Sequence, residues 1–119
     1  MLQRTRARDE KTYMVYLAVS VICQNSSYHK IYLRRWGSRN HVKAYKLGLL
    51  LKKEDPLLYN ELFKYFRCNN GSHKCLGKSI WGFLLVKFKS MNVDIDSIET
   101  IGDLCNELYR LKQIIYSPI

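Results

Sequence analysis

The chain has 119 residues with 20 Lys or Arg and 10 Asp or Glu, so its formal net charge at pH 7 is +10. This length suits a single domain with one modest hydrophobic core, and an apolar content of 47% argues against intrinsic disorder. The apolar segment from Tyr13 to Cys23 is interrupted by Ser20 and is far shorter than the roughly 20 residues of a membrane span. The sequence therefore predicts a folded domain without a transmembrane segment.

The charge is distributed unevenly along the chain. Residues 1–93 carry eighteen basic and five acidic residues, a net charge of +13, whereas residues 94–119 carry two basic and five acidic residues, a net charge of −3. A positive field of this strength attracts polyanions, so nucleic acid or an anionic surface is the expected class of partner.

The four cysteines show no regular disulfide framework, and no leader with a small-residue cleavage site precedes the first apolar segment. Cys23 and Cys105 lie in apolar stretches, as buried thiols do. We therefore expect a reducing, cytoplasmic or nuclear location and not a secreted protein. A disulfide between Cys68 and Cys75 is the main alternative.

The first predicted element is a helix over about 13–24, apolar nearly all round, with Thr12 as a cap. A second helix over about 28–36 would end before Gly37. The alternative is an N-terminal β-hairpin over 13–36, because the first segment is rich in β-branched residues and a polar turn follows it. The short Gly37-Ser38 connection would also suit a helix-turn-helix motif.

A third helix is expected over about 39–53, capped by Ser38, and Asp55-Pro56 indicates the start of a fourth that ends at Asn69-Asn70-Gly71. After a polar loop, a fifth helix is expected over about 78–91. The sixth, over about 97–116 with Asp96 or Ser97 as its cap, has one apolar face: Ile98, Ile101, Leu104, Cys105, Leu108, Leu111 and Ile115. The predicted fold is mainly α, a single compact domain of about five or six helices.

Residues 1–11 are predicted to form a flexible basic arm before a helical domain over 12–119. In the arm, Arg4, Arg6 and Arg8 alternate with uncharged residues and have no apolar periodicity, a pattern typical of segments that follow phosphates.

A second basic group lies where the second and third predicted helices would meet. Aromatic residues between its members, Tyr28, Tyr32 and Tyr45 among them, could stack on bases or guanidinium groups. The residues expected to contact nucleic acid here are Arg34, Arg35, Trp36, Arg39, Lys43, Lys46 and Lys53, with Lys52 beside them.

Cys68, His73 and Cys75 are residue types that zinc prefers, but no fourth ligand has a diagnostic spacing. We therefore predict no metal and no cofactor. Gly77-Lys78-Ser79 resembles the end of a phosphate-binding loop, yet five residues separate Gly71 from Gly77 where that motif requires four. No catalytic pairing of residues is apparent, and we predict that the protein is not an enzyme.

These patterns predict a non-enzymatic basic module that binds DNA or RNA mainly through phosphate contacts, with aromatic stacking. The alternative is a structural, matrix-like adaptor that self-assembles and contacts an anionic membrane surface or a protein partner. Its unequal charge halves would permit head-to-tail contact between copies. The abundance of lysine, tyrosine, asparagine and isoleucine suggests an AT-rich coding sequence, as is common in viruses, and is compatible with a viral structural protein.

Overall fold

A computed structural model describes residues 10–34, 41–67 and 72–116, with side chains for 10–33, 44–67 and 72–113. That part of the chain contains five α-helices, which are α1 (Glu10–Cys23), α2 (Lys46–Glu54), α3 (Pro56–Leu62), α4 (His73–Ser90) and α5 (Ile101–Tyr116). Two short strands, β1 (Tyr32–Arg34) and β2 (His41–Lys43), and 3-10 turns at Ser26–Tyr28 and Ile95–Ser97 complete it. The predicted fold class, a mainly α single domain, is confirmed.

Helix α1 is the central element and packs against α2, α3 and α5. Val15, Ala18, Val19 and Ile22 recur at helical spacing and are buried completely or almost completely. Burying an aliphatic side chain of this kind stabilises the fold by about 1.5–3 kcal/mol. The predicted helix is therefore confirmed, although Thr12 lies buried inside it and does not cap it. The alternative hairpin over 13–36 is wrong, because its first half is helical.

The helix predicted over about 28–36 does not form in the described residues. Asn25 accepts a hydrogen bond from the Ser27 N–H and caps the 3-10 turn, and the chain then becomes extended. The Leu33 N–H donates to the Glu99 carbonyl at 2.6 Å, and the Ile31 carbonyl accepts from the Ile101 N–H at 3.0 Å. These bonds to a distant segment replace the local bonds that a helix would need.

Strands β1 and β2 pair in parallel, with Leu33 opposite Val42. The prediction that a helix begins near residue 39 is therefore wrong, since β2 and a turn precede α2 at Lys46. The helix-turn-helix hypothesis is also wrong for the described residues, because a strand and not a helix approaches Gly37.

Two helices begin directly after a residue whose side chain caps the helix. Asp55 Oδ1 accepts from the Leu58 N–H at 3.1 Å, which confirms the predicted start of α3. Ser72 Oγ accepts from the Lys74 N–H at 3.1 Å, so α4 begins at His73 and not near residue 78. Helix α3 ends at Leu62, earlier than predicted, and turns follow it.

Helix α5 begins at Ile101 and is capped by Thr100, not by the predicted caps Asp96 or Ser97. Asp103 Oδ2 accepts from the Glu99 and Thr100 N–H groups at 3.0 Å each, and the Asp103 N–H donates to Thr100 Oγ1 at 3.1 Å. This reciprocal arrangement is a capping box. The buried face of α5 is confirmed at Ile101, Leu104, Leu108 and Leu111.

Candidate nucleic-acid interface

Helix α2 has one buried and one cationic face. Leu47, Gly48 and Leu51 are buried toward the core. Lys46, Leu49 and Lys53 are separated by three and four residues on the opposite side, where all three are exposed. Residues at this spacing have Cβ atoms about 5–6 Å apart, so the two lysines flank one exposed leucine. The structure thus places both predicted contact residues of α2 on one outward stripe.

Helix α4 begins beside the start of α2, because two glycines allow their backbones to meet. A Cβ atom on Gly77 would lie 2.7 Å from the Tyr45 Cα, and a Cβ atom on Gly48 would lie 2.9 Å from the His73 carbonyl carbon. Real Cβ atoms essentially never lie less than 3.0 Å from a heavy atom of another part of the chain. The amino-terminal ends of the two helices are therefore neighbours.

Lys74 and Lys78 of α4 are both exposed, one helical turn apart. The Lys74 Nζ lies 5.6 Å from the centroid of the ring of Tyr45, the residue that precedes Lys46 in the chain. We use the name lysine face for a set of four exposed lysines on these two helices, which are Lys46, Lys53, Lys74 and Lys78. Neither α4 member is among the predicted contact residues: the sequence predicts a loop at Lys74 and relates Lys78 only to a phosphate-binding loop. Ser72, a good capping residue at the true start of α4, was the available signal.

Two lysines of the lysine face lie at the positive ends of helix dipoles. Lys46 and Lys74 lie in the first turns of α2 and α4, and neither first turn contains an acidic residue. A cation at the positive end of a helix dipole is unfavourable by about 0.3–1 kcal/mol, whereas an anion there is favourable. The N-terminal end of each helix therefore combines the positive end of the dipole with a lysine, and a bound anion would offset this positive charge.

Acidic side chains do not neutralise this face within the described residues. Lys46, Lys53 and Lys78 form no ion pair with any acid of residues 10–33, 44–67 or 72–113. Helix α5 uses its two acidic side chains within itself, since Asp103 caps the helix and Glu107 pairs with Arg110 at 3.4 Å. These three lysines thus lack an ion-pairing acid in the part of the chain that the structure describes.

The interleaved tyrosines differ in accessibility. Tyr28 is buried, and its hydroxyl donates to Glu54 Oε1 at 2.7 Å. This hydrogen bond, with burial and the carboxylate charge, raises the pKa of Tyr28 above its ordinary value of 10.0. Its predicted stacking role is wrong. Tyr45 is half-buried beneath Lys74, whereas Tyr32 is 44% exposed and could stack.

The remaining predicted contact residues are only partly placed. Arg34 and Lys43 lie opposite each other in the pairing of β1 and β2, but their side chains are outside the described part. Six other predicted residues lie entirely outside the described part: Arg4, Arg6, Arg8, Arg35, Trp36 and Arg39.

The other chemical hypotheses find little support. Among the described residues no three His, Cys, Asp or Glu side chains could hold a metal ion, and Cys68 lies outside those residues. Gly77 lies inside α4 and packs on the backbone of Tyr45, so it does not form a phosphate loop.

The cysteine prediction is wrong for one pair. Cys23 and Cys105 are not separate thiols but form a disulfide, with Cα atoms 5.7 Å apart. Sequence reasoning missed this pair because the two residues are 82 positions apart and nothing local connects them.

No family model matches the chain, and neither does any curated protein or solved structure. In the part of the chain that the structure describes, no helix has the length and apolar character needed to cross a bilayer.

Proposed function

We propose that this protein is a non-enzymatic basic module that binds nucleic acid mainly through the phosphate backbone. The observation that supports it most is the lysine face, whose members Lys46 and Lys74 are exposed in the first turns of α2 and α4, turns that contain no acid. Phosphate groups are suited to such a place because helix N-termini and ammonium groups both attract them.

The binding mode would be largely independent of sequence. Lysine contacts to phosphate fix position and supply salt-dependent affinity but carry no information about bases. In this proposal Arg34 and Lys43, which share one register position of β1 and β2, would add further phosphate contacts. Arg4, Arg6 and Arg8 would add contacts from the amino-terminal side, and Tyr32 would add stacking on unpaired bases.

The test compares two charge-matched double variants. Lys46→Gln with Lys74→Gln removes two charges from the lysine face, and Arg110→Gln with Lys112→Gln removes two from the exposed side of α5. Affinities for a mixed-sequence duplex and for a single-stranded RNA are measured as a function of salt. We expect the first variant to weaken binding for all sequences and to reduce the salt slope by about two, since each phosphate contact contributes about one. Equal effects of the two variants would contradict the proposal.

A second candidate function has one observation in its favour. Leu49, 43% exposed, lies between Lys46 and Lys53 on the outer side of α2, and lysines that flank an apolar side chain also suit an anionic membrane surface. Vesicles containing phosphatidylserine, tested in parallel, distinguish the two functions. Leu49→Ser should abolish vesicle binding if the matrix-like function holds, and should leave nucleic-acid binding unchanged if the phosphate contacts dominate.

A further inference from the structure

The disulfide between Cys23 and Cys105 lies in an open groove between α1 and α5. The groove has a volume of about 300 Å³. Both cysteines are partly exposed, so the sulfur atoms are not sealed in the core. Among the described residues, the lining includes the cation Lys112 and no acid. An accessible disulfide is the kind that takes part in thiol exchange.

One histidine lies beside this disulfide. The carbonyl of His29 accepts from the Gly102 N–H at 3.0 Å, which holds its turn against the start of α5. The His29 Nε2 is hydrogen-bonded to the Cys23 carbonyl oxygen. Because a carbonyl oxygen can only accept, the Nε2 must carry the proton. The same nitrogen lies 4.0 Å from Cys105 Sγ.

The two sulfurs are therefore not equivalent. If the disulfide is cleaved, the single Nε2–H of His29 can turn from the neutral Cys23 carbonyl to a thiolate on Cys105, 4.0 Å away. Hydrogen bonds to charged acceptors are stronger than those to neutral ones, so His29 favours Cys105 as the sulfur that leaves. An incoming thiol would then bond to Cys23.

We propose that this groove is a site of thiol–disulfide exchange with a small anionic monothiol. The incoming thiolate forms a new S–S bond with Cys23 Sγ, and the electron pair of the Cys23–Cys105 bond passes to Cys105 Sγ. The Cys105 thiolate receives the hydrogen bond of His29. One disulfide is lost and one is formed, so no further oxidant or reductant is needed. Lys112 favours a thiol that carries carboxylates, because its ammonium group lines the groove.

The experiment uses the full chain in a Cys68→Ser, Cys75→Ser background, so that Cys23 and Cys105 are its remaining cysteines. The folded protein is incubated with glutathione, quenched with iodoacetamide, and mapped by mass spectrometry. We expect glutathione on Cys23 and the alkyl group on Cys105. Adducts divided equally between the two sulfurs, adducts mainly on Cys105, or no reaction in the folded protein would overturn the proposal. Alkylation of both cysteines before any thiol is added would overturn it as well.

Two pairs of variants test the individual groups. His29→Ala should slow the exchange about tenfold and reduce the preference for Cys23, whereas the neighbouring Lys30→Ala should do neither. Lys112→Gln should reduce the advantage of glutathione over cationic cysteamine, each rate being normalised to that of the same thiol on unfolded protein. Lys89→Gln, an equal charge change on α4, should leave that advantage unchanged. An equal response to both members of either pair would count against the assigned group.

Discussion

Replacing Gly77 with alanine tests how α2 and α4 are held together beneath the lysine face. A Cβ atom at this position would lie 2.7 Å from the Tyr45 Cα and closer still to the Tyr45 carbonyl group. These are backbone atoms, so the clash is relieved only if one helix moves. The same change at Gly82 of α4 meets nothing within 4 Å. The two glycines thus form a matched pair in one helix.

The two substitutions should change stability in opposite directions. Alanine is favoured over glycine inside a helix by about 1 kcal/mol, which is the gain expected for Gly82→Ala. Gly77→Ala makes the same gain but adds overpacking that costs about 3 kcal/mol when the neighbours cannot yield. We therefore expect it to lower the free energy of unfolding by about 2 kcal/mol. Urea denaturation followed by far-ultraviolet circular dichroism measures both values. Equal stabilisation by the two variants would refute the close approach of α2 and α4.

Three further predictions concern single contacts. Under oxidising conditions, replacing Cys23 and Cys105 with alanine should lower the free energy of unfolding by about 4.5 kcal/mol, because the disulfide closes a loop of 82 residues; a loss below about 1 kcal/mol would argue against the bond. Burial acts to raise the pKa of Asp103, but the N–H groups it accepts from hold that pKa below its ordinary value of 3.8. The ionised Asp103 carboxylate should therefore stabilise the fold above about pH 4, and this stabilisation should be lost as pH falls further. Asp103→Ala should make the free energy of unfolding depend less on acid pH, as urea titrations at several pH values would show. The raised pKa of Tyr28 means that stability should fall as pH rises above about 10, with a smaller fall in Glu54→Gln, as thermal unfolding at alkaline pH would show.

Local chemistry made part of this fold predictable. Asp55 followed by Pro56 defines the start of α3 by itself, since both the cap and the first helical position are set by adjacent residues. The apolar spacing of α5 is similarly local. Its start was misplaced because Asp96 and Thr100 are both good caps, and only the reciprocal bonds with Asp103 distinguish them.

Contacts between distant residues account for what could not be predicted. The segment around Leu33 is extended because its N–H group bonds to Glu99, a residue that sequence spacing does not connect to it. The disulfide depends in the same way on the packing of α1 against α5. For the candidate interface, sequence spacing predicted that Lys46 and Lys53 share one side of a helix, and both are exposed there. Sequence spacing could not show that Lys74 and Lys78 lie on a helix next to α2, because this depends on the contact made by Gly48 and Gly77.

We propose that exposed cations of this protein bind phosphates. The most direct test is the salt dependence of the protein's affinity for mixed-sequence duplex DNA. Each neutralised phosphate contributes about −0.9 to the slope of log affinity against log salt. The four residues of the lysine face therefore predict a slope of about −3.6 or steeper. A slope near zero, or no measurable binding at low salt, would contradict the claim.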